Sequence, residues 1–368
     1  MDKLNANQIA LAWLNSVNGV GNGKIEKLLE YFGSPKELWY NFEEERHNLN
    51  ILDFKIINEL IKKKDNFEYK LIKKLEEQNA KIITYFDLAY PKKLRNINGA
   101  PYILYYKGNL NCANNLSIAV IGSRKATNYG KWVAGKFTKE LSELGVTIVS
   151  GLATGIDTIA HKNALKYNAK TIGIIGCGIN VIYPKKNEEL YNEILKNDGV
   201  IITEFPFDMK PMPANFPIRN RIISGLSDGV LVIEAQEKSG TLITVSHAAN
   251  QGKDIFAVPG NIDSLYSKGT NALIKDGAKI TTCLDDIIEE ILELKNLISC
   301  KNKIFYNNLN ENEIKIIDSL KSGEKTIFDI NNSTNISTND ILSTITMLEM
   351  KGIVLQLTGN KYRLADLS

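Results

Sequence analysis

The sequence predicts an α/β protein in which a doubly wound parallel sheet lies between a helical N-terminal region and a C-terminal region of winged-helix outline. From Leu116 onward, seven short apolar runs alternate with helical stretches. Most of these runs are continuously apolar rather than alternating, which is typical of parallel strands buried on both faces. Gly, Ser or charged residues follow the runs, at the strand ends where α/β proteins bind their ligands.

Size and composition set limits on the class of protein. A chain of 368 residues predicts two or three domains, and its 43% apolar content is that of a globular protein. No apolar run approaches the ~18 residues of a membrane span, and no signal-peptide pattern opens the chain. Four cysteines without a CxxC motif and three separated histidines argue against a metal site and a disulfide framework. We therefore expect a cytosolic protein that has no membrane partner.

The N-terminal region, residues 1–66, has helical periodicity. A helix over "ANQIALAWLNSV" is followed by the glycine-rich turn of "NGVGNGKIEKLLEYFGSPKELW". This is the pattern of a helix-hairpin-helix, in which backbone amides at the turn can hold a phosphate. A tight turn inside a helical bundle explains the same glycines, and both interpretations stay open.

The C-terminal region begins with a polar linker, residues 298–310. Residues 311–368 then read as helix, turn, short helix, helix and two strands around "TGNK", which is the order of a winged helix. The presumed recognition helix, "STNDILSTITMLEMKG", has no basic residue before Lys351, and only Lys361 and Arg363 in the wing suit DNA. We interpret this region as a protein-contact or helper domain.

Residues suited to an anion follow several strands of the central region. Gly122, Ser123 and Arg124 come after the first strand, and "YPKKN" brings Lys185 after the third. The "SGT" of Ser239, Gly240 and Thr241 opens a predicted helix. Free N–H groups and the dipole at a helix start favour a phosphate, and glycine lets the ligand approach the backbone.

Arginine is scarce in this chain and concentrated near these strand ends. Only six of the 45 Lys and Arg residues are Arg, and three of the six are Arg124, Arg219 and Arg221. Residues 112–299 carry 20 basic and 20 acidic groups, so an anion site here must be local. A guanidinium group binds phosphate through two parallel hydrogen bonds. The ring of Phe216 provides a face on which a base can stack. The pattern leaves open whether the phosphate belongs to a nucleotide, a cofactor or a nucleic acid.

Six motifs in order resemble the DprA/Smf family of DNA-processing proteins. They are "AVIGSRKATNYG", "VSGLATGIDTIAH", "GIIGCGINVIYPKKN", "NFPIRNRIISGLS", "SGTLIT" and "FAVPGNIDSLYSKGTNALIKDGA". The match covers about Tyr85 to Thr282. It implies a Rossmann-like domain over 112–297, a SAM-like helical domain over 1–66, a connecting segment over 67–111 and a winged helix behind.

The resemblance also implies a function. The protein would bind single-stranded DNA without strong sequence preference, protect incoming DNA and load RecA during natural transformation. It would form a homodimer and act on DNA coated by single-stranded-DNA-binding protein. It would not be an enzyme, and it would need no metal or cofactor. The DNA contacts carried over by motif are Gly122, Ser123, Arg124, Lys185, Phe216, Arg219, Asn220, Arg221, Ser239, Gly240 and Thr241. Lys253 stands where the family often has Arg.

Two other functions fit parts of the sequence. Nucleoside-monophosphate hydrolases of the same superfamily carry a catalytic Glu where this chain has Thr244, and a hydroxyl cannot replace that carboxylate. A winged-helix transcription regulator is disfavoured by the charge of the recognition helix. Asp157 and His161, four residues apart on one predicted helix, are interpreted as a structural pair.

Overall fold

The computed structural model describes residues 4–298, 309–351 and 353–364 of the chain. The chain divides into two compact units, Met1–Ile291 and Leu292–Ser368. Each unit has its own hydrophobic core.

The first unit combines helices with one large sheet. Its helices are α1 (Ala6–Asn15), α2 (Asn22–Phe32), α3 (Pro35–Glu45), α4 (Phe54–Lys64), α5 (Phe67–Glu77), α6 (Lys92–Arg95), α7 (Asn128–Glu143), α8 (Ile156–Lys166), α9 (Glu188–Lys196), α10 (Asn215–Gly225), α11 (Gly240–Asn250), α12 (Lys268–Lys275) and α13 (Asp285–Ile288). Its strands are β1 (Lys81–Thr84), β2 (Ile103–Gly108), β3 (Ser117–Ile121), β4 (Thr147–Ser150), β5 (Thr171–Ile174), β6 (Val200–Thr203), β7 (Gly229–Val232), β8 (Asp254–Ala257) and β9 (Lys279–Ile280). Two 3-10 turns, Leu110–Asn114 and Lys185–Asn187, complete it.

The strands pair in the order β1-β2-β6-β5-β4-β3-β7-β8-β9. From β3 the chain adds β4, β5 and β6 on one side, all parallel, and then returns to add β7, β8 and β9 on the other. The strand order therefore reverses between β3 and β7. This switch point is where an open parallel sheet leaves a crevice at its carboxyl edge.

All seven strands predicted from apolar runs are confirmed as β3 to β9. Helices α10 and α11 share a core with Ile121 and Val232 on one face of the sheet. The alternate residues on the same strands, Val120 and Leu231, are also fully buried. Burial on both faces explains why the runs of β3 and β7 lack a polar alternate.

The segment predicted as a connection, residues 67–111, contains α5 and two further strands. β1 pairs antiparallel with β2, and β2 pairs antiparallel with β6. The sheet therefore extends into this segment. The predicted domain boundaries themselves remain predictions.

The N-terminal helices α1 to α4 form as their periodicity predicts. Asn5 and Gln8 make a reciprocal capping box at the start of α1. Trp13 is fully buried and meets Trp39 and Phe42 edge to face. The glycine-rich turn leads into α2, where the Asn22 amide donates to the carbonyl oxygens of residues 99 and 100. This contact favours the structural interpretation of the turn.

The second unit contains three helices and a small sheet, in the order of elements predicted for a winged helix. Its helices are α14 (Glu311–Leu320), α15 (Ile327–Thr334) and α16 (Thr338–Met350), and its strands are β10 (Lys325–Thr326), β11 (Val354–Leu357) and β12 (Lys361–Leu364). The strands form an antiparallel sheet in the order β10-β12-β11. Several apolar side chains remain exposed, among them Phe328 on α15 and Met347 and Met350 on α16. Throughout the residues that the structure describes, every helix is too short or too polar to traverse a bilayer.

Candidate functional site

A cavity of about 770 Å³ opens at the switch point of the sheet, beside the carboxyl ends of β3 and β7. Its walls come from the loop after β3, the start of α8, helix α10 and the start of α11. Nine of the eleven residues predicted as the site line it: Gly122, Ser123, Arg124, Phe216, Arg219, Asn220, Ser239, Gly240 and Thr241. Segments far apart in sequence thus converge because parallel strands end at one edge.

The first turn of α11 provides a place for an anion. Ser239 caps this helix by accepting the N–H of Thr241 at 3.1 Å. A Cβ on Gly240 would meet nothing within 4 Å, so the backbone here faces open space. Asn220 on α10 donates to the Gly240 carbonyl oxygen at 3.3 Å and so holds the two helices together. The helix dipole and the N–H groups of this first turn favour negative charge.

Arg219 is a buried cation with few partners. Its side chain is 4% exposed, and its Nη1 donates to the Gly151 carbonyl oxygen at 2.7 Å. Its Nε has no hydrogen-bond partner among the described residues. A Cβ on Gly151 would lie 2.8 Å from both Arg219 and Asp157, so only glycine leaves room for this pair. Burying a guanidinium that is incompletely hydrogen-bonded is unfavourable, and a bound anion would offset that cost.

The ionisation of this pair reflects the same burial. Burial lowers the pKa of Arg219 to about 10, and the attraction of Asp157 acts against this shift. Burial raises the pKa of Asp157, while the charge of Arg219 and the N–H groups of Ala153 and Gly151 act in the opposite direction. At neutral pH Arg219 therefore keeps its positive charge inside the cavity wall.

Phe216 lies among cations and a second aromatic ring. The Cζ atoms of Arg124 and Arg219 lie 5.2 Å and 5.9 Å from its ring centroid. Tyr183 approaches it with a centroid separation of 5.7 Å and a tilt of 41°. Both rings line the cavity, so a planar ligand could stack there while its charge meets the guanidinium groups.

Arg221 is not part of this cavity, contrary to the expectation from the sequence. It makes a bidentate ion pair with Glu204 and donates through Nε to the Gly99 carbonyl oxygen at 3.0 Å. The physical reason is helix geometry, because residues two apart on α10 are separated by roughly 200° around the axis. Arg219 therefore faces the cavity, and Arg221 faces the segment before the first parallel strand.

Lys185 also lies outside the cavity lining. It is exposed in the 3-10 turn Lys185–Asn187. The residue of the same motif that reaches the cavity is Tyr183, which the sequence interpretation did not select. Asp157 is a second lining residue assigned only a structural role from sequence. Tyr183 is an aromatic residue inside the same "YPKKN" motif as Lys185, and that position is the signal that could have indicated it.

The histidines of this region are held by neighbouring groups. Nδ1 of His161 lies 2.6 Å from Thr171 Oγ1, so His161 is paired with that hydroxyl and not with Asp157. Burial, followed by the charge of Arg219, lowers the pKa of His161 to about 3. Burial also lowers the pKa of His247, whose Nε2 lies 3.3 Å from the Pro217 carbonyl oxygen.

Fold and site together define a class: a Rossmann-like α/β protein whose switch-point cavity offers guanidinium groups, a helix start and aromatic rings. A family model described as DNA recombination-mediator protein A matches residues 81–292, which is more than half of the chain. The chain belongs to this family, and the resemblance to DprA/Smf proteins is confirmed.

Several characterised relatives are similar to this chain. Protein Smf of Escherichia coli is 42% identical over 217 residues, which cover 59% of this chain and 58% of that protein. DNA processing protein DprA of Bacillus subtilis is 41% identical over 218 residues, which cover 59% of this chain and 73% of that protein. The chain thus spans less than two thirds of the length of the E. coli relative.

Two solved structures resemble the fold. The X-ray structure of DNA processing protein A from Streptococcus pneumoniae superposes with a TM-score of 0.67 at 35% identity, over 78% of this chain and 99% of that one. A structure of the Helicobacter pylori protein, described for its single-stranded DNA binding mode, gives a TM-score of 0.53 at 32% identity, over 58% of this chain and 96% of that one.

Proposed function

We propose that this chain binds single-stranded DNA in the switch-point cavity. The observation that carries the proposal is Arg219, a charged and incompletely hydrogen-bonded guanidinium buried in the wall of an open cavity. The family, and the described DNA-binding mode of the H. pylori protein, support the choice of ligand.

The phosphate of one nucleotide would lie between Arg219, Arg124 and the first turn of α11. Arg124 is exposed at the rim and can meet the strand as it enters, whereas Arg219 is fixed by Gly151. Guanidinium donors pair with two phosphate oxygens at once, and the N–H groups at the helix start can take a third. These contacts are to the backbone of the nucleic acid and are therefore independent of sequence.

A base of the same strand would stack on Phe216 or Tyr183. Every base has an aromatic face, so stacking tolerates any sequence. In a duplex these faces are covered by neighbouring base pairs, and a cavity that requires them selects unpaired DNA. We therefore expect weaker binding to duplex DNA than to a single strand.

Membership of this family supports a more specific cellular role. We propose that the protein protects incoming single strands and loads RecA onto them during natural transformation, on DNA that single-stranded-DNA-binding protein also occupies. We further propose that it acts as a homodimer without metal or cofactor. We propose that residues 112–297 bind the DNA and that residues 1–66 and 311–368 form accessory domains.

A nucleotide-hydrolysing enzyme is the second candidate for this cavity. The same phosphate cradle would suit a nucleoside monophosphate, and Thr244 lines the cavity at the position where the related hydrolases carry their acidic residue. Thr244 is buried and cannot act as a carboxylate. Incubation with nucleoside monophosphates and a search for released base tests this candidate, and clear turnover would replace the DNA-binding proposal.

The DNA-binding proposal is tested by titrating a labelled oligo-dT strand and a matched duplex at several salt concentrations. We expect preference for the single strand and a log–log salt slope of roughly −0.7 per phosphate contacted. Arg124→Ala should weaken binding at least about tenfold, since it removes a charge-assisted contact. Lys186→Ala, which removes an exposed cation outside the cavity, is the matched control. Equal effects of the two substitutions, or equal affinity for duplex, would contradict the proposal.

A further inference from the structure

Two exposed aromatic side chains lie on the first turns of α7. Tyr129 is 45% exposed and Trp132 is 64% exposed, although large aromatic rings are usually buried. Their ring centroids are 6.5 Å apart with an interplanar angle of 34°. The spacing of three residues places both on one face of the helix. Together they form a ring pair that faces solvent.

This ring pair lies close to the switch-point cavity. The loop that lines the cavity through Lys125 leads directly into Thr127, which caps α7. Tyr129 follows Lys125 by four positions, a span of at most about 14 Å. The Tyr129 hydroxyl donates to the Pro259 carbonyl oxygen at 2.9 Å, which fixes this ring against the loop after β8. A strand leaving the cavity past Lys125 would reach the ring pair next.

The charges around the ring pair favour an anionic partner. Lys125 and Lys131 are exposed, and neither makes an ion pair with a carboxylate in the described part of the chain. Lys136, one turn beyond Trp132, lies 3.9 Å from Glu140.

Two carboxylates lie on the neighbouring segments. Glu234 is 2% exposed and accepts both the N–H and the hydroxyl of Thr127, and Asp263 is exposed on the loop after β8. Because Glu234 is buried and hydrogen-bonded, its charge is shielded from a ligand on the helix surface.

We propose that Tyr129 and Trp132 form a second stacking platform for the single strand as it leaves the cavity. This inference rests on the proposed function and extends it from one nucleotide pocket to a path over the start of α7. Exposed rings next to cations without carboxylate partners are the combination that sequence-independent single-strand binding uses. The platform is continuous with the cavity through the loop from Gly122 to Lys125.

Trp132 also provides a direct reporter. The chain has three tryptophans, and Trp13 and Trp39 lie on the N-terminal helices α1 and α3. Trp13 is fully buried, whereas Trp132 is the one whose ring is mostly exposed. Stacking of a base on Trp132 should therefore quench emission from a solvent-exposed indole, and Trp132→Phe should remove that signal.

The test uses the full chain and oligo-dT of two lengths, about 4 and about 16 nucleotides. We expect Trp132→Ala to weaken binding of the longer strand about fivefold or more and to leave the shorter one within about twofold. Trp132→Phe, which retains a ring, should lose less affinity than Trp132→Ala. Tyr69→Ala, which removes an exposed aromatic from α5, is the matched control and should change neither.

The outcomes separate the inference from the proposed function. Normal affinity of Trp132→Ala for the longer strand, with no quenching when the wild type is saturated, would overturn the platform and assign the ring pair to a protein contact. Failure of both lengths to bind the wild type would overturn the proposed function itself.

Discussion

The switch-point cavity and the winged-helix unit both have shapes that other proteins use on nucleic acids, yet their charges differ sharply. The cavity gathers Arg124 and Arg219 beside the start of α11. Helix α16 begins with Asp340 in its first turn, contains no Lys or Arg, and exposes Met347 and Met350. Phosphate contacts dominate affinity for nucleic acids, so a helix without cations is poorly suited to a groove.

Architecture alone therefore does not assign a role to either region. A helix in the recognition position can as well carry an apolar surface for another protein, and the exposed methionines of α16 are adaptable contacts of that kind. The cavity, by contrast, places charge, backbone N–H groups and aromatic rings within one crevice.

The largest effect is expected from Arg219→Ala. It removes a buried cation that we propose makes two charge-assisted hydrogen bonds to phosphate, so affinity for oligo-dT should fall by about a hundredfold. Arg221→Gln on the same helix is the matched control. Because it breaks the ion pair with Glu204, it should lower the melting temperature while leaving affinity within about threefold. The reverse pattern in fluorescence anisotropy would place the binding surface on the other side of α10.

Acid should weaken the first unit more than the second. His161, with its pKa lowered to about 3, binds fewer protons in the folded than in the unfolded state between that value and about 6.5. Its contribution to stability is therefore present above pH 6.5 and is lost as the pH falls, by up to about 1.4 kcal/mol per pH unit. The histidines are at positions 47, 161 and 247, so the second unit has none.

The effect of His161 is isolated by comparing the wild type with His161→Gln. Asp157 on the same helix has a raised pKa and titrates in the opposite direction, so the difference between the two proteins is the relevant quantity. Urea unfolding at pH 6.5, 5.5 and 4.5, followed by tryptophan emission, reports only the first unit, because all three tryptophans lie there. Parallel pH profiles for the two proteins would contradict the assignment.

A smaller effect is expected from Phe216→Leu. The substitution keeps an apolar side chain and removes the stacking face, so binding of oligo-dT should weaken by ~1 kcal/mol, or about fivefold. Phe328→Leu on α15, which is 72% exposed in the winged-helix unit, is the matched control and should have no effect. A loss of affinity in both variants, measured by titration at 0.15 M salt, would bring the second unit into the binding surface.

The smallest effect on affinity for single-stranded DNA is expected from substitutions in the predicted wing of the second unit. Lys361→Ala combined with Arg363→Ala removes the cations of β12, and affinity for single-stranded DNA should stay within about twofold. The same variant should be compared with the wild type on duplex DNA. A tenfold loss on either substrate would show that the wing contacts nucleic acid and would remove the contrast between the two regions.

Much of the fold could be predicted because buried strand positions require apolar residues, and these form recognisable runs in the sequence. Strands β3 to β7 are buried along their whole length, and their largely apolar runs follow from that. The sequence predicts a connection where β1 and β2 lie because they are antiparallel strands at the margin of the sheet, and because Tyr106 and Lys107 of β2 are only partly buried. The local sequence "YILYYKG" does not indicate that β2 pairs with β6, which lies nearly a hundred residues further along the chain.

The site was predictable to the extent that it depends on strand ends and helix starts. Gly122 to Arg124 and Ser239 to Thr241 follow from connectivity alone. Their closeness in sequence predicts that Arg219 and Arg221 act as a pair, whereas their separation around α10 directs them to different surfaces. Tyr183 depends on the path of the loop after β5, which no periodicity encodes.

The pairing of β2 with β6 has a practical consequence for dissecting this protein. A fragment cut at residue 112 would remove β2, so β6 would keep only β5 as a neighbour and expose unpaired backbone groups along one edge, which invites aggregation. It would also deprive Arg221 of its acceptor at Gly99 and so loosen the helix that carries Arg219. The smallest autonomous piece able to hold the crevice intact must therefore start upstream of Lys81, well before the first parallel strand.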